Sequence, residues 1–471
     1  MGEGRTWLTG KSWRQQRVWR CVLGPLLALV LLNGVLLLLW SFMTTRCGGL
    51  STEQPSCWYQ TRNIRPGGLG EIHEVDLTGE PQQDLPVFSG QVARASTSPR
   101  HISLSDDEAA NKTSLQYHVI MRSDMNSTRH LWPWGRVYGC DALSYDTSSL
   151  ASVSVVITFH DNEQLSDLLH TVRSVLQRTS PHLLAEVILV DDNSQKVELR
   201  EGLDRHLAVE FPANVRLLRS ATRGGLIRAR LLGTRAAQAP VIVCMDSHME
   251  VEERWLEPLL EAIRQNRRTL AASYLDWMEE KDGIWEFMHG ASTWKTYFDW
   301  SFTFGFQDMS VRDKQNRNET HPVRTPITIG GMFAIEKQFF REIGEFDDGM
   351  QFWGGENIDL ALRVWLFGGR VVNVPCSHAA HLERTGHRNY RVGRLEHTWV
   401  NHKRVAAVWL GDYIKYFYYY NPRSKVLDTG DLSRRIALRR KSVRDFSWFL
   451  KNVFPEMGVP DVDTFAWGGV S

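Results

Sequence analysis

At 471 residues the chain is longer than a typical single domain, so it has room for two or three units. A hydrophobic fraction of 42% is ample for a large core, and 18 tryptophans suit such a core or sugar-stacking surfaces. A net charge of +1 gives no argument for nucleic acid, and six scattered cysteines without a C-x-x-C pair argue against a structural zinc site.

Residues 1–20 carry Arg5, Lys11, Arg14, Arg17 and Arg20 against one acid, Glu3. From Cys21 to Met43 the chain is apolar and uncharged, long enough to span a bilayer as a helix with its basic flank in the cytoplasm. This predicts a cytoplasmic tail (1–20) and a signal-anchor (21–43), with the remainder on the far side. The competing reading, a cleaved signal peptide, lacks a clean small-residue cleavage pattern. Sequons at Asn111, Asn126 and Asn318 fit a lumenal body. Residues 44–137, rich in Ser, Thr, Gly, Pro and charge, read as a stem. Within it, Cys47 and Cys57 can pair with each other or between two chains.

The folded body starts near Tyr138. Val153 to Phe159 reads as a buried strand, the apolar spacing from Leu165 to Leu176 as a helix, and Glu186 to Val190 as a second strand ending at Asp191-Asp192. Strand, helix, strand implies a right-handed parallel crossover. Arg223-Gly224-Gly225 leads into an Arg-rich helix. The apolar run Val241 to Met245 then ends in Asp246-Ser247-His248. Residues two apart on a strand share a side, so Asp246 and His248 can converge on one divalent cation; alone, the pattern is as easily a strand-end Asp and an exposed His. Thr158, Asp192 and Asp246 close three strands, which favours a ligand at the carboxyl edge of a parallel sheet. No GxGxxG follows a strand, so a dinucleotide is not indicated.

Trp255 to Ile263 reads as an amphipathic helix. Phe298 to Phe306 alternates aromatics as a strand does, one face packing in the core and the other free to line an acceptor groove. Gly330-Gly331 permits close backbone approach to a ligand, or a tight bend. Gly354-Gly355 precedes a helix from Asn357 to Phe367 that Gly368-Gly369 ends. Glu356 sits at that helix N-terminus, as a cap or as a functional carboxylate. A further strand spans Val371 to Val374. Cys376 and His381 follow, then a loop dense in Arg and His, suited to closing over a diphosphate or to simple solvation. Leu432 to Val453 reads as a basic amphipathic helical region.

Taken together, these blocks resemble the polypeptide N-acetylgalactosaminyltransferases, which start mucin-type O-glycosylation in the Golgi. The matching text is Val155-Val-Ile-Thr-Phe-His, Val187-Ile-Leu-Val-Asp-Asp, Arg223-Gly-Gly-Leu-Ile-Arg, Asp246-Ser-His, Trp353-Gly-Gly-Glu-Asn, Arg363-Val-Trp and Cys376-Ser with His381 and Arg384. Gly430-Asp-Leu-Ser and Trp448 to Glu456 also match, so the resemblance covers residues 138–456 in order. It implies an α/β GT-A type domain, a Rossmann-like mixed sheet flanked by helices, over 138–456. It also implies a type II anchor in the Golgi membrane with a lumenal catalytic body, and a manganese ion. Asp246, His248 and His381 match the metal ligands. Thr158, Asp192 and Arg223 match residues holding uridine and ribose; Arg230 and Arg384 match residues near the donor sugar and diphosphate. Trp353, Glu356 and Asn357 match the active-site loop, and Cys140–Cys376 matches a family disulfide. The implied reaction moves N-acetylgalactosamine from UDP-GalNAc to Ser/Thr hydroxyls of polypeptides with retention, through a front-face path, since no obvious carboxylate pair serves a double displacement.

The text departs from the family in places. Asp161 interrupts the His-Asn-Glu text, Phe367 replaces a common Cys, Phe306 replaces a Trp, and Ala407 and Gly411 replace acids. After His381 the text reads Leu382-Glu383-Arg384-Thr385. Residues 457–471 read as a tail, with no ricin-type lectin text. An active transferase without that domain is therefore the leading expectation, and a non-catalytic Golgi binding protein the alternative.

Overall fold

The computed structural model describes residues 73–75, 101–103, 118–122 and 137–460, except 138, 282–283, 289–293, 316 and 383–394. The expected anchor, Arg384, the loop 385–394, Asn111, Asn126, Cys47 and Cys57 lie outside the described residues. Among the described residues no helix is long and apolar enough to cross a membrane.

The strands are β1 His73–Val75, β2 His101–Ser103, β3 His118–Arg122, β4 Val153–Phe159, β5 Leu184–Asp191, β6 Val215–Arg219, β7 Val241–Asp246 and β8 Met249–Val251, then β9 Thr269–Lys281, β10 Ile284–Met288, β11 Trp294–Phe298, β12 Phe304–Asp308, β13 Val323–Arg324, β14 Met332–Glu336 and β15 Arg370–Leu382. The helices are α1 Leu165–Arg178, α2 Glu201–Val209, α3 Leu226–Ala236, α4 Glu257–Gln265, α5 Val311–Lys314 and α6 Lys337–Glu342, then α7 Glu356–Leu366, α8 Leu395–Trp409, α9 Ile414–Tyr420, α10 Ser433–Arg439 and α11 Phe446–Asn452. The main sheet runs β13-β15-β9-β14-β7-β4-β5-β6. Its β7-β4-β5-β6 half is parallel, whereas β14 lies antiparallel to both β7 and β9. The result is the mixed α/β sheet expected of a GT-A domain.

Alternation along β4 builds two apolar layers. Val155 and Ile157 belong to one layer with Leu168, Val172 and Leu259, and Val156 to the other with Ile227, Leu360 and Trp365. Burying each such side chain stabilises the fold by roughly 1.5–3 kcal/mol. The Cys140–Cys376 disulfide is formed and ties the start of the body to β15.

Three expectations change. Phe298 to Phe306 is a hairpin, not one strand. Asp299 Oδ1 accepts the Ser301 and Thr303 amides at 2.8 and 3.1 Å, and Phe302 takes φ 64°. The strand expected at Val371–Val374 runs on to Leu382 with an irregularity between Val374 and His378, because β9 continues beside it. The basic helical region from Leu432 to Val453 divides into α10 and α11, the second capped by Asp445, whose carboxylate accepts the Trp448 amide at 2.7 Å.

Candidate functional site

The carboxyl ends of β4, β5 and β7 open into a cleft of about 1140 Å³, closed opposite by residues 352–358. Parallel pairing sets Thr158 level with Asp246. Antiparallel pairing of β8 with β15 brings His381 beside the turn that carries His248, and the Leu382 amide donates to the His248 carbonyl at 3.0 Å. The ligand atoms of Asp246, His248 and His381 consequently lie within 4.8 Å of one another. The imidazoles meet edge to face at 4.7 Å, and His381 Nε2 stands 3.7 Å from Asp246 Oδ2. Each side chain keeps 11 to 25% of its surface open to the cleft.

This set fits a divalent cation on three grounds. One carboxylate and two imidazoles are donors that manganese accepts. Glu163 faces His248 Nδ1 at 3.3 Å, the outer-sphere contact that fixes a ligand's tautomer. Gly331 backs the site, where a Cβ would lie 3.3 Å from Asp246 Oδ2 and 3.9 Å from the His381 ring. A second trio, Glu252, Asp276 and His378, also converges, but it is at most 2% exposed. There His378 Nε2 donates to the Pro375 carbonyl and Nδ1 faces Asp276, both at 3.1 Å. The Asp246 trio is the one a ligand in the cleft can reach.

Electrostatics distinguish Asp246 from Glu356 across the cleft. Burial pushes the Asp246 carboxyl up, but Arg230 at 2.7 Å and the two imidazoles outweigh it and hold its pKa at about 2. Glu356, 5% exposed, is pushed above the usual carboxylate range by burial, which the Arg230 charge only partly offsets. Its Oε2 accepts the Gly354 amide at 2.8 Å, which pins the loop before α7 without capping the helix, and the side chain lines the cleft.

The other expected residues also converge here. Thr158 is buried, and its Oγ1 has no hydrogen-bond partner among the described residues. Asp192 accepts the Gly224 and Gly225 amides at 2.7 Å each, fixing the turn that presents Arg223. Gly225 is required there, since at φ 81° a Cβ would sit 2.1 Å from Phe352 Cα. Asn357 donates to the Thr328 carbonyl at 3.1 Å, and Trp353 is 36% exposed on the loop that Asn401 holds from below. Arg384 is outside the described residues. The sequence reading assigned no role to Glu163, although the His-Asn-Glu text contained it. It also left Asp161 as a mere interruption, yet Asp161 Oδ1 accepts the Gln195 and Lys196 amides at 2.7 and 2.9 Å and braces the loop after β5. The aromatic hairpin divides: Phe298, Trp300 and Phe302 are buried, whereas Phe304 is 40% exposed at the cleft.

Known proteins share this text and this fold. Residues 154–344 match the model of glycosyl transferase family 2, and residues 317–389 that of the N-terminal domain of galactosyltransferase. A probable N-acetylgalactosaminyltransferase 9 from Caenorhabditis elegans is 34% identical over 410 residues, covering 85% of this chain and 68% of the relative. Human polypeptide N-acetylgalactosaminyltransferase 13 is 38% identical over 346 residues, covering 72% and 61%. The crystal structure of GalNAc-T7 with UDP, GalNAc and Mn2+ superposes with a TM-score of 0.65 at 33% identity, covering 71% of this chain and 61% of that one. The chain thus spans about three-fifths to two-thirds of the length of these relatives.

Proposed function

The chain belongs to the polypeptide N-acetylgalactosaminyltransferase family, and on that footing we propose that it transfers N-acetylgalactosamine from UDP-GalNAc to Ser/Thr hydroxyls of polypeptides, with retention and with manganese. The observation that carries this reading is the convergence of Asp246, His248 and His381 on one point of a cleft whose far wall holds Glu356. The matching structure of GalNAc-T7 contains UDP, GalNAc and Mn2+.

In this reading Asp246, His248 and His381 hold the ion, which supplies charge neutralisation for the departing diphosphate. Thr158 Oγ1, unpaired among the described residues, takes a hydrogen bond from the nucleoside side, and Arg223 lies along the ribose. Arg230 ties Asp246 to the sugar side of the cleft. Glu356, held by the Gly354 amide, orients a sugar hydroxyl and stabilises positive charge at the anomeric carbon. The bond from that carbon to the β-phosphate oxygen breaks as the bond to the acceptor oxygen forms on the same face. The hydroxyl proton leaves to the phosphate oxygen, so no protein base is required. A single-pass type II Golgi anchor (21–43) belongs to this proposal, as does N-glycosylation at the exposed Asn318.

The test is incubation of the full chain with Mn2+, UDP-GalNAc and a pool of Ser/Thr peptides. The reading expects a mass gain of one N-acetylhexosamine, an α-linkage by NMR, and loss of both on chelation. UDP binding without transfer would favour the non-catalytic alternative and direct attention to residues 385–394.

A further inference from the structure

At the end of β15 away from His381 lies an array of guanidinium groups that the transfer reaction does not use. Arg324 stands opposite Val372, so Arg324 and Arg370 are diagonal neighbours on one face of the sheet. Arg324 lies over the Trp365 indole at 5.0 Å. Arg444 stacks on Trp448 at 3.9 Å and donates through Nη1 to the Trp365 carbonyl at 3.2 Å. Arg370 donates to Thr269 Oγ1 and to the Ala262 carbonyl, both at 2.9 Å. No Asp or Glu among the described residues forms an ion pair with any of the three. Asp313, whose charge reaches Arg324, is already paired with Lys295 at 2.6 Å. Burial first, and then a neighbouring guanidinium, lowers the pKa of all three arginines.

Like charges fixed together require an account. The carboxyl end of α7 contributes roughly half a negative charge near the Trp365 carbonyl, which does not balance three cations. The donor diphosphate does not balance them either. Arg370 stands opposite Thr269 and His381 opposite Trp277, eight residues apart on β9, about 26 Å at roughly 3.3 Å per residue and about three times the screening length near 8 Å. The anion that completes this array is therefore a separate one. Planar guanidinium forks held on indoles and carbonyls are preorganised for carboxylates.

We propose that Arg324, Arg370 and Arg444 form a docking surface for an acidic stretch of the polypeptide acceptor, remote from the residue that receives the sugar. This rests on the transferase reading above. An extended acceptor needs at least about eight residues between its hydroxyl and its acidic stretch to reach both places.

The experiment compares two acceptor peptides identical around one threonine, one carrying a run of glutamates and the other glutamines about fifteen residues away, a spacer long enough for that span. With the full chain, the glutamate peptide is expected to show a KM about tenfold lower at low salt, the advantage vanishing at high salt. Arg324→Glu with Arg444→Glu should erase the advantage while leaving kcat for the glutamine peptide unchanged. Arg324→Gln, which keeps its stem on the indole, should erase part of it and guards against misfolding of the double variant. Equal KM values, or an advantage that survives charge reversal, would overturn the proposal. So would tight binding of a sulfated polysaccharide without discrimination between the peptides. Failure to modify either peptide would count against the transferase reading instead. Fluorescence anisotropy of the labelled glutamate peptide, with and without the charge reversal, would then still decide docking.

Discussion

Two aspartate centres in this protein use the same chemistry to opposite ends. Asp359, on α7, accepts from Arg363, from Arg435 at 2.9 Å and from the Trp409 indole at 2.7 Å, and its side chain is 2% exposed. Asp246, at the end of β7, has one guanidinium, Arg230 at 2.7 Å, and turns its other oxygen toward His381 and Gly331 with 21% of its surface open. Burial works against the charge of both, and in both the neighbouring cations win. The difference is saturation. Both Asp359 oxygens are engaged by donors of the fold and tie α7 to α8 and α10, whereas Asp246 keeps an oxygen in reserve beside two imidazoles. A buried ion pair is thus a structural part when every oxygen is spoken for and a site when one is not.

Substitutions can break that comparison. Asp246→Asn should lower kcat/KM for transfer by about a thousandfold or more, through lost metal binding. It should cost less stability than the matching change at Asp359, because Glu356 remains close to Arg230. Asp359→Asn should do the reverse. Removing the charge between two buried guanidiniums should cost about 3–5 kcal/mol, read as a fall in denaturation midpoint, while the folded fraction keeps its activity. Glu163→Gln leaves all three ligands in place and should weaken Mn2+ affinity by about 10–100-fold, measured by titration calorimetry.

The smallest change in stability concerns Glu356, whose shift has the opposite sign. Its folded pKa is raised, so the ionised form penalises the fold once the pH exceeds its ordinary value of 4.5, and the penalty is complete above the folded value. Glu356→Gln should therefore melt about 1–3 °C higher than the parent at neutral pH, with the gain fading in acid, while transfer is lost. For Asp359 and Asp246 the pKa is depressed, so their stabilisation is present above the ordinary 3.8 and is lost as the pH falls through the folded values, about 2 for Asp246.

Much of this was legible in the chain, because short-range rules govern it. The short β-branched run from Val241 to Met245 read as a strand, and the turn chemistry at Arg223 to Gly225 announced the helix behind it. What escaped depends on partners far away in sequence. Nothing near Pro375 says that β15 continues to Leu382; it does so because β9 lies alongside to hydrogen-bond it. The hairpin at Asp299 hid behind an aromatic alternation that suits a strand equally well. Glu163 looks like any helix-flanking acid until β7 places Ser247 and His248 against it. The saturation of Asp359 needs Trp409 and Arg435, 50 and 76 residues away.

The most direct measurement sets the parent chain beside Asp246→Asn and Asp359→Asn with Mn2+, UDP-GalNAc and a Ser/Thr peptide pool, scored by peptide mass at a temperature where all three are folded. The account predicts a gain of one N-acetylhexosamine with the parent and with Asp359→Asn, and none with Asp246→Asn. Transfer by Asp246→Asn at the parental rate, or loss only in Asp359→Asn, would contradict it.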